Sequence, residues 1–346
     1  MKKILLLTII LVVLVCGCFS KNDNNIDEEP AELLPKENID PIKEKIAKMS
    51  IDEKIGQLVM VGFDGYEIDE ATLDMMRMYR VGGFILFKRN IKSASQTLKL
   101  INSLKEENRA NGIPLFIAVD EEGGRVSRMP DEFLKMPTSR AIGKVDSEEF
   151  AFGIGSVIGE QIKSLGFNMN FAPVLDIDSN PKNPVIGDRA FGSTSEIVSR
   201  LGTAVMIGMK SQVISTVKHF PGHGDTTVDS HVGLPVINHD MDRLKSFELV
   251  PFAKAIESGA DAVMLAHILL LEIDEQNPAS FSKAVITDIL RNEMNFDGLV
   301  ITDDMTMGAI AENYDIGEAA VKSVLAGADI VLVCHDNEKQ VKVLKA

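Results

Sequence analysis

The sequence predicts one closed (β/α)8 barrel, and three observations carry that prediction. Eight short apolar runs recur over 58–63, 83–87, 115–120, 169–172, 213–219, 262–267, 299–303 and 329–334. Most are apolar throughout rather than alternating, as strands buried on both faces are. Between them lie segments with apolar residues three and four apart, at 50–57, 93–109, 149–165, 244–258 and 282–294, which read as helices. About eight strand–helix units in roughly 300 residues fit a closed barrel better than an open doubly wound sheet. No Gly-x-Gly-x-x-Gly turn follows the first strand, which argues further against a dinucleotide fold. Neither an internal repeat nor a second domain is visible.

Taken from the N-terminus, residues 1–17 read as an export signal. Lys2 and Lys3 precede an apolar run from Ile4 to Val15, broken only by Thr8 and too short for a typical spanning helix. Val15-Cys16-Gly17-Cys18 resembles a bacterial lipobox, which makes Cys18 the expected lipidation site and the membrane a partner through a lipid anchor on its outer face. Residues 18–39, rich in Asn, Asp, Glu and Pro, are expected to form a disordered tether. The barrel domain is assigned to 40–346 and opens on a helix whose Ser50 and Glu53 form a capping box. At the other end the helical stretch 337–346 stops without a cap, so the barrel is expected to lack its last C-terminal helices.

The 346 residues carry 36 basic and 51 acidic side chains, a formal net charge of −15. That balance argues against nucleic acid as a partner. Beyond the leader the one remaining cysteine, Cys334, sits in the apolar run Ile330-Val331-Leu332-Val333 and reads as a buried inert thiol. A monomer is expected.

Barrels of this kind gather their chemistry at the carboxyl ends of the strands. The third run delivers Asp120 and a glycine-containing turn to Arg128; the fourth is followed by Asp176 and then Asp188-Arg189. After the fifth comes Lys218-His219-Phe220-Pro221-Gly222-His223-Gly224-Asp225, with Asp229-Ser230-His231 close behind. The sixth and seventh runs end in His267 and in Thr302-Asp303-Asp304. Asp176 and Asp304 read as caps of following helices. His267 is open between core filler and ligand contact, and Arg125 is expected to pair with Glu121 or Glu122.

His219, His223, His231, Asp225 and Asp229 are open to two readings, a metal site or an oriented proton-transfer pair. The sequence has no His-x-His pair of the kind barrel metallohydrolases place at their first strand, and Pro221 forbids a helical His219/His223 pair. Neither metal nor cofactor is expected.

Lys218-His219-Phe220-Pro221-Gly222-His223-Gly224 with Asp229-Ser230-His231, and Ile301-Thr302-Asp303-Asp304-Met305-Thr306-Met307, strongly resemble the bacterial β-N-acetylglucosaminidases of glycoside hydrolase family 3. Segments 49–57, 82–87 and 119–126 agree, in order, over about residues 48–336. The resemblance implies a retaining double displacement with Asp303 as nucleophile and Asp229–His231 as the acid/base dyad. It also implies that Asp120, Arg128, Arg189, Lys218 and His219 hold the sugar in the cleavage subsite. Terminal N-acetylglucosamine of peptidoglycan fragments or chitooligosaccharides is the implied substrate. A phosphorylase of the same fold and a non-catalytic sugar-binding lipoprotein are the alternatives. Many secreted relatives carry a second C-terminal domain that is not visible here.

Overall fold

A computed structural model describes residues 40–346. The signal at 1–17, Cys18 and the tether at 18–39 lie outside the described residues. Helix Pro41–Lys48 buries none of its side chains. The chain divides into a unit ending at Ala47 and a compact unit from Lys48 to Ala346.

The larger unit is a closed parallel barrel of eight strands: β1 (Val59–Val61), β2 (Gly83–Leu86), β3 (Phe116–Val119), β4 (Met169–Asn170), β5 (Ile214–Phe220), β6 (Ala262–Leu265), β7 (Leu299–Asp304) and β8 (Ile330–Val333). Each strand pairs with its neighbour in sequence, and β8 closes on β1 through Val59/Val331 and Val61/Val333. All eight predicted strands are present, most of them shorter than their apolar runs. Two further short strands, Val236–Ile237 and Leu269–Leu270, pair with each other in the loops beyond β5 and β6. Two residues each are too few to leave a pattern in the sequence.

The two-residue period of a strand sorts side chains into two apolar layers. Met60, Ile85, Ala118, Met169, Met264, Ile301 and Leu332 fill the barrel interior. Val61, Phe84, Val119, Val263, Val300 and Val333 instead meet the surrounding helices. Continuing the count places Asp120 after Ala118 and Asp303 after Ile301 on the interior side, just above the apolar plug.

Ser50 and Glu53 form the predicted capping box at helix Ile51–Gln57. The helix expected over 244–258 is split into a π-helical turn, Leu244–Glu248, and an α-helix, Val250–Glu257. Pro251, which lacks a backbone N–H, sits in the first turn of the second piece and accounts for the break. Helix Ser195–Lys210 is absent from the sequence reading. Ten of its sixteen residues are buried, two of them glycines, so its apolar side is broad and interrupted by Gly202 and Gly208.

Candidate active site

The carboxyl ends of the strands surround a cavity of about 350 Å³. Asp120, Arg128, Arg189, Lys218, His219, His231 and Asp303, seven residues drawn from five separate stretches of sequence, line it together. Asp229, the eighth predicted residue, stands behind His231.

Strand β5 presents two adjacent polar residues to one cavity because its pairing with β6 slips between Val217 and Phe220. A regular strand would point Lys218 inward and His219 outward. The irregularity resets the alternation, so that both line the cavity while Phe220 joins the outer core. The Lys218–His219 and Phe220–Pro221 peptides are cis.

Lys218 lies 2.6 Å from Asp120 and 2.7 Å from Glu122. Arg189 grips Glu122 through two bonds of 2.8 Å. Both Lys218 and Glu122 are almost fully enclosed, each with 3% of its side chain exposed. Burial alone would raise the Glu122 carboxyl, but Arg189 and Lys218 outweigh it and hold the carboxyl well below the usual range. Burial likewise disfavours the Lys218 ammonium, yet Asp120 and Glu122 raise it above the ordinary lysine value. The result is a network in which Glu122, Arg189 and Lys218 hold one another in their charged forms, with Asp120 bonded to Lys218 at its edge. Glu122 was not singled out in the sequence. Its only signal is its place two residues past the strand-end Asp120, before Gly123-Gly124.

His219 is held from behind by Asp176. Its Nδ1 lies 2.6 Å from Asp176 Oδ2, and its Nε2 lies 3.4 Å from Arg189 Nη2. With a carboxylate facing Nδ1 and a guanidinium facing Nε2, Nδ1 is the ring atom that donates to Asp176. Asp176 also accepts the backbone N–H of His223 at 2.6 Å. The expectation that Asp176 caps a helix is thus corrected: it is fully buried and spent on the β5 loop.

Asp304 is no helix cap either. It accepts the N–H of Cys334 at 2.9 Å and that of Thr306 at 2.9 Å, tying β7 to β8. The following helix, Gly308–Ala311, starts after Met307 instead. Arg125 pairs with Asp188 at 2.8 Å, not with Glu121 or Glu122, because Glu121 accepts from Arg128 N and Glu122 is taken by Arg189 and Lys218. His267 is fully buried between Ser280 Oγ and the Asp304 carbonyl, which makes it a core residue.

Asp303 accepts the N–H of Asp304 at 2.8 Å. Burial works to raise its carboxyl, but His267, His219, that N–H and His231 together bring it below the ordinary aspartate value. It is therefore an anion at neutral pH, poised above the apolar plug and without a salt-bridge partner of its own among the described residues.

The dyad stands on the loop beyond β5. Asp229 Oδ1 accepts from His231 Nδ1 at 2.8 Å and from His231 N at 2.9 Å, so Nε2 is the ring atom left for other work. Much of this pair meets solvent, with 64% of the His231 and 35% of the Asp229 side chain exposed. The loop is stapled over the turn after β7: Gly308 N donates to His231 O at 3.2 Å and Ala309 N to Ser230 O at 3.0 Å. A Cβ at Gly308 would stand 2.7 Å from His231 O, so the close approach requires glycine. Gly224 is required for the same reason, since its Cβ would collide with the Ile177 carbonyl.

The remaining candidates for a metal are committed elsewhere. His223 lies between Thr226 Oγ1 and Ser230 Oγ, and Asp225 pairs with His239 at 2.8 Å. Among the described residues no group of three or more His, Cys, Asp or Glu is placed to hold a metal ion.

A parallel barrel thus gathers a fixed-charge cage, a bare buried carboxylate and an exposed Asp–His pair at one mouth. Residues 50–346 match the glycosyl hydrolase family 3 N-terminal domain, and the chain belongs to that family. It is 40% identical over 271 residues to a beta-hexosaminidase of Thiobacillus denitrificans, covering 76% of this chain and 74% of that one. Beta-hexosaminidase A of Pseudoalteromonas piscicida is 37% identical over 279 residues, covering 75% of this chain and 47% of that one. A solved family 3 β-N-acetylglucosaminidase from Paenibacillus superposes with a TM-score of 0.84 at 44% identity, covering 86% of this chain and 57% of that one. This chain thus spans about half the length of the last two relatives.

Proposed function

We propose that this protein is a retaining exo-β-N-acetylglucosaminidase that removes terminal N-acetylglucosamine from peptidoglycan fragments or chitooligosaccharides. The observation that carries the reading is one cavity lined by both an anionic, unpaired Asp303 and a histidine oriented by Asp229. The names of the relatives support the same activity.

In the first step Asp303 Oδ attacks the anomeric carbon while His231 gives a proton to the departing glycosidic oxygen. The C–O bond to the leaving sugar breaks and a glycosyl–Asp303 ester forms. In the second step neutral His231 takes a proton from water as the water oxygen displaces Asp303, and the sugar leaves with its configuration retained. Asp229 fixes the tautomer and stabilises the imidazolium that enters the first step and is restored by the second. Asp120, Arg128, Arg189, Lys218 and His219 take the hydroxyls and acetamido group of the sugar in the cleavage subsite. Glu122 and Asp176 hold those donors in place. Lipidation at Cys18 and the tether after it would keep the enzyme outside the cytoplasmic membrane, close to wall debris.

Parallel assays with aryl β-N-acetylglucosaminide, aryl β-glucoside and aryl β-xyloside test the reading, with hydrolysis expected on the first and a retained anomer in the initial product. Preference for either of the other two glycosides would overturn the sugar assignment. A sugar phosphate formed only when phosphate is added would replace hydrolysis by phosphorolysis. Binding without turnover would leave only the sugar-binding alternative.

A further inference from the structure

Three aromatic and cationic groups form a stack at the rim of the cavity that the chemistry above does not use. The Arg89 guanidinium stands 4.5 Å from the centre of the Phe87 ring. His335 stacks on Phe87 with centroids 5.2 Å apart and planes 29° apart. Arg89 is itself fixed by Asp64 at 2.6 Å and by the Cys334 carbonyl at 3.0 Å. Phe87 and His335 both line the catalytic cavity, and half of the His335 side chain is exposed. One ring face is covered by Phe87, so the exposure belongs to the other face and the edge.

Resting on the glycosidase reading, we propose that this outer face of His335 is the platform for the second sugar of an oligosaccharide, the ring that carries the leaving oxygen. A pyranose presents a row of C–H groups on each face, and a flat ring backed by another flat ring covers such a row without needing hydrogen bonds. The location follows from the proton donor. The leaving oxygen lies between the two sugars, so the second ring must lie beside His231, outward from the cage. Among the paired histidines that line the cavity, His231 and His335 are the exposed ones, at 64% and 50%, against 8% for His219. His335 Nε2 is also 3.7 Å from Asp304, the residue next to Asp303, which ties the platform to the reacting carboxylate. Burial brings the imidazole below the ordinary histidine value, leaving a neutral ring near pH 7. A second hollow of about 160 Å³ shares Cys334 and His335 with the first. Asn337 lines that hollow as well.

The test compares kcat/KM for N,N′-diacetylchitobiose and for methyl β-N-acetylglucosaminide in the wild type, His335→Ala and His335→Phe. Stacking is worth about tenfold at such a site. His335→Ala should therefore lower the disaccharide-to-methyl ratio about tenfold, and His335→Phe, which restores a flat ring, should return most of it. Equal loss on both substrates, an unchanged ratio, or a ratio that Phe does not restore overturns the platform. A wild-type protein inert toward both substrates would instead sink the glycosidase reading, and the subsite with it.

Discussion

The cage around Lys218 and the dyad around His231 lie at one cavity, yet they are built on opposite principles. Cage members sit near or just past strand ends or, for Arg189, on the short helix Gly187–Arg189, have side chains at most 17% exposed, and satisfy one another through several short bonds. The dyad rides on a loop, is largely exposed, and is held by one carboxylate and two backbone staples. Groups that recognise an unchanging sugar are best fixed before it arrives, and buried ion pairs do that at the cost of desolvation. A group that must gain and lose a proton each turnover needs a softer setting, since a buried pair as strong as Glu122–Arg189 would lock its protonation state.

The largest effect is expected between the two, at Asp303. Asp303→Asn should lower turnover of an aryl N-acetylglucosaminide by about 10⁴ or more, while the melting midpoint stays level or rises. A near-normal rate would remove the nucleophile. Glu122→Gln attacks the cage and leaves Arg189 short of its anion. Removing one partner of a buried pair costs about 3–5 kcal/mol, so denaturant melts should show a loss of that order, with a raised KM. His231→Ala attacks the dyad and should reverse the pattern: kcat on substrates with poor leaving groups falls about 10²–10⁴-fold, activated aryl glycosides suffer less, and stability shifts by no more than about 0.5 kcal/mol. If Glu122→Gln melts normally or His231→Ala unfolds, the contrast between rigid cage and soft dyad is wrong.

Acid sharpens the comparison further. Burial pushes His223 down to about 4 against the pull of Asp176. With a folded value below the unfolded one of about 6.5, this group contributes stability that is complete above pH ~6.5 and lost as pH falls through about 4. The amount is roughly 3 kcal/mol by the same relation. His223→Gln, which cannot titrate, should flatten the dependence of the melting midpoint on pH across that window. Because Asp303 is also depressed, the acid limb of kcat/KM should fall below the ordinary aspartate value of about 3.9, provided the fold survives there. Smallest of all, Gly308→Ala should cost about 1–3 kcal/mol by pushing on His231 O, with loss of kcat as the dyad loop is displaced.

Most of the frame was legible. The strand ends at Asp120 and Asp303 were readable as places where chemistry gathers, but the inward face of each carboxylate follows from the apolar layers of the fold. The capping box at Ser50 and Glu53 was equally local. Glu122 was harder, since a glutamate beside Asp120 and Glu121 carries no mark that two cations from residues 189 and 218 will converge on it. Asp176 and Asp304 were misread as helix caps for a related reason: capping is the commonest local use of a strand-end aspartate, and only the fold shows that their partners lie across strands. His335 stayed silent because a ring near the chain end becomes meaningful only beside Phe87.

The sequence by itself determined the eight-strand barrel, the family and the order in which its polar groups reach the mouth, because burial periodicity and turn chemistry act over a few residues at a time. Tertiary structure alone decided which charges pair, that Lys218 and His219 share one cavity, and that the Asp229–His231 loop is pinned across the turn after β7. Those outcomes depend on distances between segments tens to hundreds of residues apart, set by strand register, one irregularity in β5 and the close approach at Gly308.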